Sequence, residues 1–99
     1  MSEARMTEGG MAEDRAIRLR RMAMRSWRRG TKEMDLILGP FADARRGRME
    51  PPALDLYDAL LAENDQDLFP WIIGAGAAPE RFRGLVAEIA AFARAGRAG

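Results

Sequence analysis

The chain of 99 residues carries 16 Lys and Arg against 15 Asp and Glu, a net charge of +1, and 47% of it is hydrophobic, enough for one modest core in one domain. Without cysteine or histidine it has no disulfide framework, Cys/His zinc site, thiol nucleophile or imidazole base. No apolar run approaches the roughly 20 residues of a membrane span, and one lysine, one tyrosine, two serines and two threonines leave little for catalysis. The composition points to a protein that acts by binding and is not an enzyme.

Residues 1–12 are small, polar and mixed in charge, with Gly9-Gly10 among them, and are expected to form a disordered tail. Glu3, Glu8, Glu13 and Asp14 argue against a mitochondrial presequence, and no secretory apolar core is present. A cytoplasmic location follows, and the Arg/Ala/Gly-rich composition suggests a bacterial source. A first helix is expected from about Glu13 to Arg28. Arg18, Arg21, Arg25 and Arg28 recur at spacings of three and four and form one stripe, with Leu19, Met22, Ala23 and Trp27 on another side. Gly30 then fits a left-handed cap.

The second helix has the cleanest period: Met34, Ile37, Leu38, Phe41 and Ala42 follow the i, i+3, i+4, i+7, i+8 template. Pro40 removes one backbone bond from it, and a kink is preferred to a break because the stripe keeps its phase. The helix should end near Arg46-Gly47. Pro51-Pro52 fits the entrance of a third helix with Leu54, Tyr57, Leu60 and Leu61 on its apolar face. A short fourth helix with Leu68, Phe69, Trp71, Ile72 and Ile73 follows the Asp65/Asp67 cap signal, with Pro70 in its first turn if Asp67 is the cap. Gly74-Ala75-Gly76 stops it. Pro79 opens a fifth helix whose Phe82, Leu85, Val86, Ile89 and Ala93 repeat at helical spacing, and residues 95–99 should fray.

Five helices and no strand make an all-α, compact five-helix bundle, a single domain over 13–94. Its core is expected to draw on Leu19, Ile37, Leu38, Phe41, Leu54, Tyr57, Leu61, Phe69, Ile72, Phe82, Leu85, Val86 and Ile89, with Trp71 beside them. Met22, Met24 and Met34 suit either core filling or an adaptable contact surface, with filling the commoner role.

The even charge balance hides an asymmetry. From Arg15 to Lys32 there are eight basic residues and no acid; from Glu50 to Asp67 there are six acids and no base. The two segments either face each other or are solvated, or the basic one docks on an acidic partner. A nucleic-acid-binding helical domain is the rival reading of the arginine stripe, opposed by the net charge and the acidic second half.

Several features meet at the joint Ser26-Trp27-Arg28-Arg29-Gly30-Thr31-Lys32-Glu33-Met34-Asp35. Gly30 permits a left-handed turn or close approach by another chain. Thr31 can cap the second helix, and Glu33 suits its first turn. Arg28, Arg29 and Lys32 put charge on the corner. Trp27 is either an interface anchor or a cover for the joint. An internal Arg29–Glu33 pair four residues apart is the structural alternative to an interface role.

Arg29-Gly30-Thr31-Lys32-Glu33 resembles the RGxxE motif of the SdhE family, the succinate dehydrogenase flavinylation (assembly) factors. Its surroundings match too: Arg25-Ser26-Trp27 before it, Met34-Asp35-Leu36-Ile37-Leu38-Gly39-Pro40-Phe41 after it, and Glu63-Asn64-Asp65-Gln66-Asp67-Leu68-Phe69-Pro70-Trp71-Ile72, similar to the family's acidic DPDL…W segment. Gln66 and Pro70 depart from that last pattern. The resemblance implies a five-helix protein that binds the flavoprotein subunit of succinate dehydrogenase, and often that of fumarate reductase. It would promote covalent attachment of FAD to a histidine of that subunit. FAD would belong to the partner, with no cofactor bound by this chain and neither nucleic acid nor membrane as a partner. Carried over, the partner-binding residues are Arg29, Gly30 and Glu33 with Thr31 and Lys32 between them, flanked by Arg28, Arg25 and Trp27. Arg29 and Glu33 are expected to make charge-assisted bonds across the interface.

Overall fold

A computed structural model describes the backbone of residues 2–98 and the side chains of residues 14–96. The chain forms helix α1 (Ser2–Trp27), α2 (Lys32–Arg45), α3 (Pro51–Leu61), α4 (Asp65–Ile73) and α5 (Arg83–Ala98). Short 3-10 turns, Arg46–Arg48 and Glu80–Phe82, follow α2 and precede α5. There is no strand among the described residues. The expected all-α five-helix bundle is the observed architecture.

Helix α1 starts at Ser2, eleven residues before the expected Glu13. Glycine costs a helix only about 1 kcal/mol relative to alanine, so Gly9-Gly10 does not force a stop. Of the tail expected over 1–12 and the frayed end expected over 95–99, residues 2–12 continue α1 and 95–98 continue α5, while residues 1 and 99 lie outside the described backbone.

Helix α2 runs unbroken through Pro40, so the proline removes one rung without dividing the helix. The reason is packing. Met34, Ile37, Leu38, Phe41 and Ala42 are all buried along one face, on both sides of the proline. In α4 the cap position is Asn64, so Pro70 falls inside the helix and not in its first turn. The first turn is closed by the Asn64 carbonyl, which accepts from Asp67 N at 3.0 Å and Leu68 N at 2.9 Å. The helix ends at left-handed Gly74, and Ala75 N and Gly76 N return to the Pro70 carbonyl at 2.8 and 3.1 Å.

The core is one cluster centred on Phe41, whose ring lies 5.8 Å from Tyr57 and 5.7 Å, edge-on, from Phe92. Leu54, Leu60, Leu61, Leu68, Ile72, Phe82, Leu85, Val86 and Ile89 complete it from α3, α4, the second 3-10 turn and α5. Leu19, Phe69 and Trp71 are half-buried on its rim. Met22 and Met34 are wholly buried as filler, whereas Met24 is exposed.

One polar group sits in this core. Ser26 is fully buried and donates to the Met22 carbonyl one turn back at 2.8 Å. Its proton is thereby used, so the Tyr57 hydroxyl, 2.6 Å away, donates to Ser26 Oγ. Burial pushes the Tyr57 phenol up to about 12, against the weaker opposing charges of Arg29 and Arg25. A tyrosine in the unfolded chain ionises near pH 10. Stability from the buried neutral phenol is therefore fully present below about pH 10 and is lost as pH rises towards 12. Wild-type stability should fall by roughly 1–3 kcal/mol across that window. Tyr57→Phe should remove this component, measured by urea unfolding at a series of alkaline pH values.

Candidate functional site: the corner between the first two helices

The corner is built by residues 28–31, which join α1 to α2. Gly30 has φ +105°, a conformation side chains rarely adopt, and a Cβ there would meet nothing within 4 Å. The glycine is thus demanded by backbone handedness and not by crowding within the chain. The space beside it opens outward. Thr31 is the N-cap of α2, its Oγ1 accepting from Met34 N at 3.3 Å. The Asp35 carboxylate reaches back to accept from Arg29 N at 2.6 Å. The turn is pinned from both of its ends.

Arg29 is the strongest fixture. Its side chain is only 10% exposed. Nε and Nη2 donate to Asp65 Oδ1 at 2.9 and 2.7 Å, Nη1 to the Leu61 carbonyl at 2.6 Å, and Nη2 also to the Glu63 carbonyl at 2.8 Å. The Leu61 carbonyl ends α3, where helix carbonyls lack partners and the dipole favours a cation, and that of Glu63 lies in the connection beyond it. The guanidinium therefore ties the corner to the α3–α4 connection. It forms no pair with Glu33, and the donors named above are engaged inside the chain as a latch.

The predicted arginine stripe divides along its length. Arg18 donates to Asp58 at 2.8 Å and Asp55 at 2.6 Å, Arg25 to Asp58 at 3.2 Å, and Arg15 to the Met49 carbonyl at 3.1 Å. The hydrogen bonds that Arg18 donates to Asp55 and Asp58, in that order, raise its pKa. Basic and acidic segments thus do face each other, through these arginines and Arg29. The remaining cations, Arg20, Arg21, Arg28 and Lys32, are exposed and form no ion pair among the described residues. A phosphate-tracking stripe is not what the geometry favours, because half of its charge is neutralised within the fold.

Outside the latch lie Lys32 and Glu33, both exposed in the first turn of α2. Glu33 stands between two depressions that share Phe69. One, of about 530 Å³, runs past Leu36, Pro40 and Phe92; the other, of about 360 Å³, is lined by Thr31, Met34, Asp65 and Gln66. Leu36 is 56% exposed on the same side.

Trp27 covers the joint. Its Nε1 donates to Asp43 at 3.1 Å, and its indole lies against the backbone of Gly39, where any Cβ would collide with the ring. This close approach accounts for a glycine inside α2. The structure brings Arg25, Trp27, Arg28, Arg29, Gly30, Thr31, Lys32 and Glu33 to one end of the α1–α2 pair, but in separate roles. Three residues with no predicted role at the corner are essential to its geometry: Asp65, Asp35 and Ser26. Of these Asp65 had a signal, its place in the acidic segment, although nothing local linked it to Arg29, 36 residues away.

Among the described residues no group of three or more His, Cys, Asp or Glu side chains is placed to hold a metal, and no helix is long and apolar enough to cross a membrane. The chain is of the class of small all-helical proteins whose most elaborated surface is a latched helix–helix corner. The family described as "Flavinator of succinate dehydrogenase" matches residues 20–93, and the chain belongs to it. The chain is 36% identical over 72 residues to the FAD assembly factor SdhE of Acetobacter pasteurianus, covering 72% of this chain and 66% of that one. It is 39% identical over 61 residues to the mitochondrial succinate dehydrogenase assembly factor 2 of Penicillium rubens, covering 62% of this chain and 20% of the relative. With its Schizosaccharomyces pombe counterpart it shares 37% identity over 71 residues, 72% of this chain and 51% of the other. The chain thus spans only part of the curated relatives it matches. No solved structure matches it.

Arg29→Ala leaves Asp65 and two carbonyls without their donor, and should cost about 2–4 kcal/mol in chemical unfolding, whereas exposed Glu33→Ala should stay within about 0.5 kcal/mol. Gly39→Ala should drive the Trp27 indole outward, shifting its fluorescence to the red in a Trp71→Phe background.

Proposed function

We propose that this chain binds the flavoprotein subunit of succinate dehydrogenase and promotes covalent attachment of FAD to it, acting by binding alone, in the bacterial cytoplasm. The flavoprotein subunit of fumarate reductase is the second client in this reading. Family membership supports the process. The observation that carries the contact is the outward-opening Gly30, held rigid from behind by Arg29 and flanked by the unpaired carboxylate of Glu33.

These 99 residues contain no histidine or cysteine, so an imidazole or thiol that accepts the flavin must come from the partner. The flavin supplies the bond-forming chemistry. This chain supplies binding energy that favours one arrangement of the partner. In that contact Gly30 admits the partner's surface to the backbone, while Arg28, Lys32 and Glu33 meet its charges. Thr31 and Arg29 keep the turn in shape, Arg25 keeps α1 on α3, and Trp27 keeps α1 on α2.

Gly30→Arg separates contact from folding. Nothing lies within 4 Å of the position its Cβ would take, and the left-handed backbone costs about 1–2 kcal/mol. The variant should stay folded by circular dichroism. In cells it should leave at least tenfold less covalent flavin on the denatured flavoprotein than wild type does. Gly30→Ala, with the same strain and little bulk, should retain most of it. Wild-type flavin levels with a folded Gly30→Arg would overturn the reading.

A further inference from the structure

The outer side of α1 has features that the fold does not use. Ile17, Arg21, Met24 and Arg28 follow one another at steps of four, three and four, a single row on a helix, with Arg20 beside it. All five are exposed, and Ile17 and Met24 are each 47% exposed. The eleven steps from Ile17 to Arg28, the first residue past α1, span about 16 Å and lead to the Gly30 corner and Lys32. The inward arginines of the same helix account for the contacts with Asp55, Asp58 and Met49, so the bundle's stability gives no reason for the outward ones. No acid interrupts the sequence from Arg15 to Lys32, and Asp43 beyond Trp27 is already engaged by Trp27 and Arg46.

We infer that this outer row of α1 is a second docking surface, continuous with the corner, for an acidic patch on the partner protein. The inference rests on the flavoprotein reading above and names the chemistry of the surface that the partner must offer: carboxylates spaced to meet Arg20, Arg21 and Arg28 around an apolar spot that takes Met24 and Ile17. Met24 set between Arg21 and Arg28 fits the composition of a protein interface, where methionine and arginine are enriched. Contacts to nucleic-acid phosphates come from polar and cationic groups, which gives half-exposed Met24 and Ile17 no role. A bilayer surface calls for a broad apolar face, and here two apolar side chains stand among cations. Rim charges of this kind act on the encounter rate more than on the lifetime of the complex.

The experiment compares wild type, Arg20→Glu/Arg21→Glu and Arg20→Lys/Arg21→Lys, binding the purified flavoprotein subunit without covalent flavin, by stopped-flow association at about 20 and about 500 mM salt. The glutamate pair lies away from the corner and should keep the wild-type melting temperature. Its association rate should fall at least tenfold at low salt, with a much smaller difference at high salt and little change in dissociation. The lysine pair should behave as wild type. Equal association rates and salt slopes for all three would overturn the inference while leaving the corner contact standing. Binding to a DNA duplex or to anionic vesicles that is lost in the glutamate pair, with flavoprotein association unchanged, would also overturn it. Failure of the wild type to bind the flavoprotein at all would overturn the functional reading, and this inference with it.

Discussion

The guanidinium of Arg29 is the interaction on which the shape of the corner depends. A single planar cation bonds Asp65 and the carbonyls of Leu61 and Glu63, and so fixes the end of α3 and the start of α4 against the α1–α2 turn. Lysine, a point charge on a flexible stem, does not reproduce this fork. The backbone N–H of the same residue is held by Asp35, so both the side chain and the main chain of Arg29 are committed. With that residue immobile, Gly30 next to it has one conformation to adopt, and its left-handed φ follows.

The RGxxE pattern then divides into dissimilar tasks. Arginine faces inward and sets the frame. Glycine allows the turn, and its missing side chain leaves the backbone open to approach. Thr31 caps the helix whose first turn exposes Lys32 and Glu33, and the glutamate is favoured where it stands by the helix dipole. Loss of the arginine and loss of the glutamate would both harm a partner interaction, by different routes: the first through the fold, the second through the surface.

The fold was largely legible because helix periodicity in α2, α3 and α5 reports burial directly. Ile37, Leu38, Phe41, Leu54, Tyr57, Leu61, Leu85, Val86 and Ile89 lie buried where the spacing put them. The misjudged boundaries have local causes. Asn64, Asp65 and Asp67 are all good N-caps by residue type, and the choice falls on Asn64, which closes the turn with its backbone carbonyl and needs no side-chain bond. The arginine stripe misled for a geometric reason. Residues at steps of three and four share a broad face, yet Arg18 and Arg25 lie on the side of α3 while Arg21 and Arg28 lie on the side of solvent. The Ser26–Tyr57 bond and the Arg29–Asp65 latch were not legible at all, since each links residues more than 30 apart and neither leaves a periodic trace.

The division of the basic segment also resolves an apparent conflict between stability and recognition. Eight cations in eighteen residues would repel one another if all were exposed. Turning Arg18, Arg25 and Arg29 onto Asp55, Asp58 and Asp65 removes part of that repulsion and holds α1 and the corner to α3 and α4. The outward cations can then present an undiluted positive surface without destabilising the helix that carries them. A factor that acts by binding needs this rigidity, because each 1.4 kcal/mol of preference for one partner arrangement shifts its population about tenfold, and a corner free to reshape itself would bind competing arrangements equally. The internal acids of the second half thereby shape the corner through α1 and Arg29.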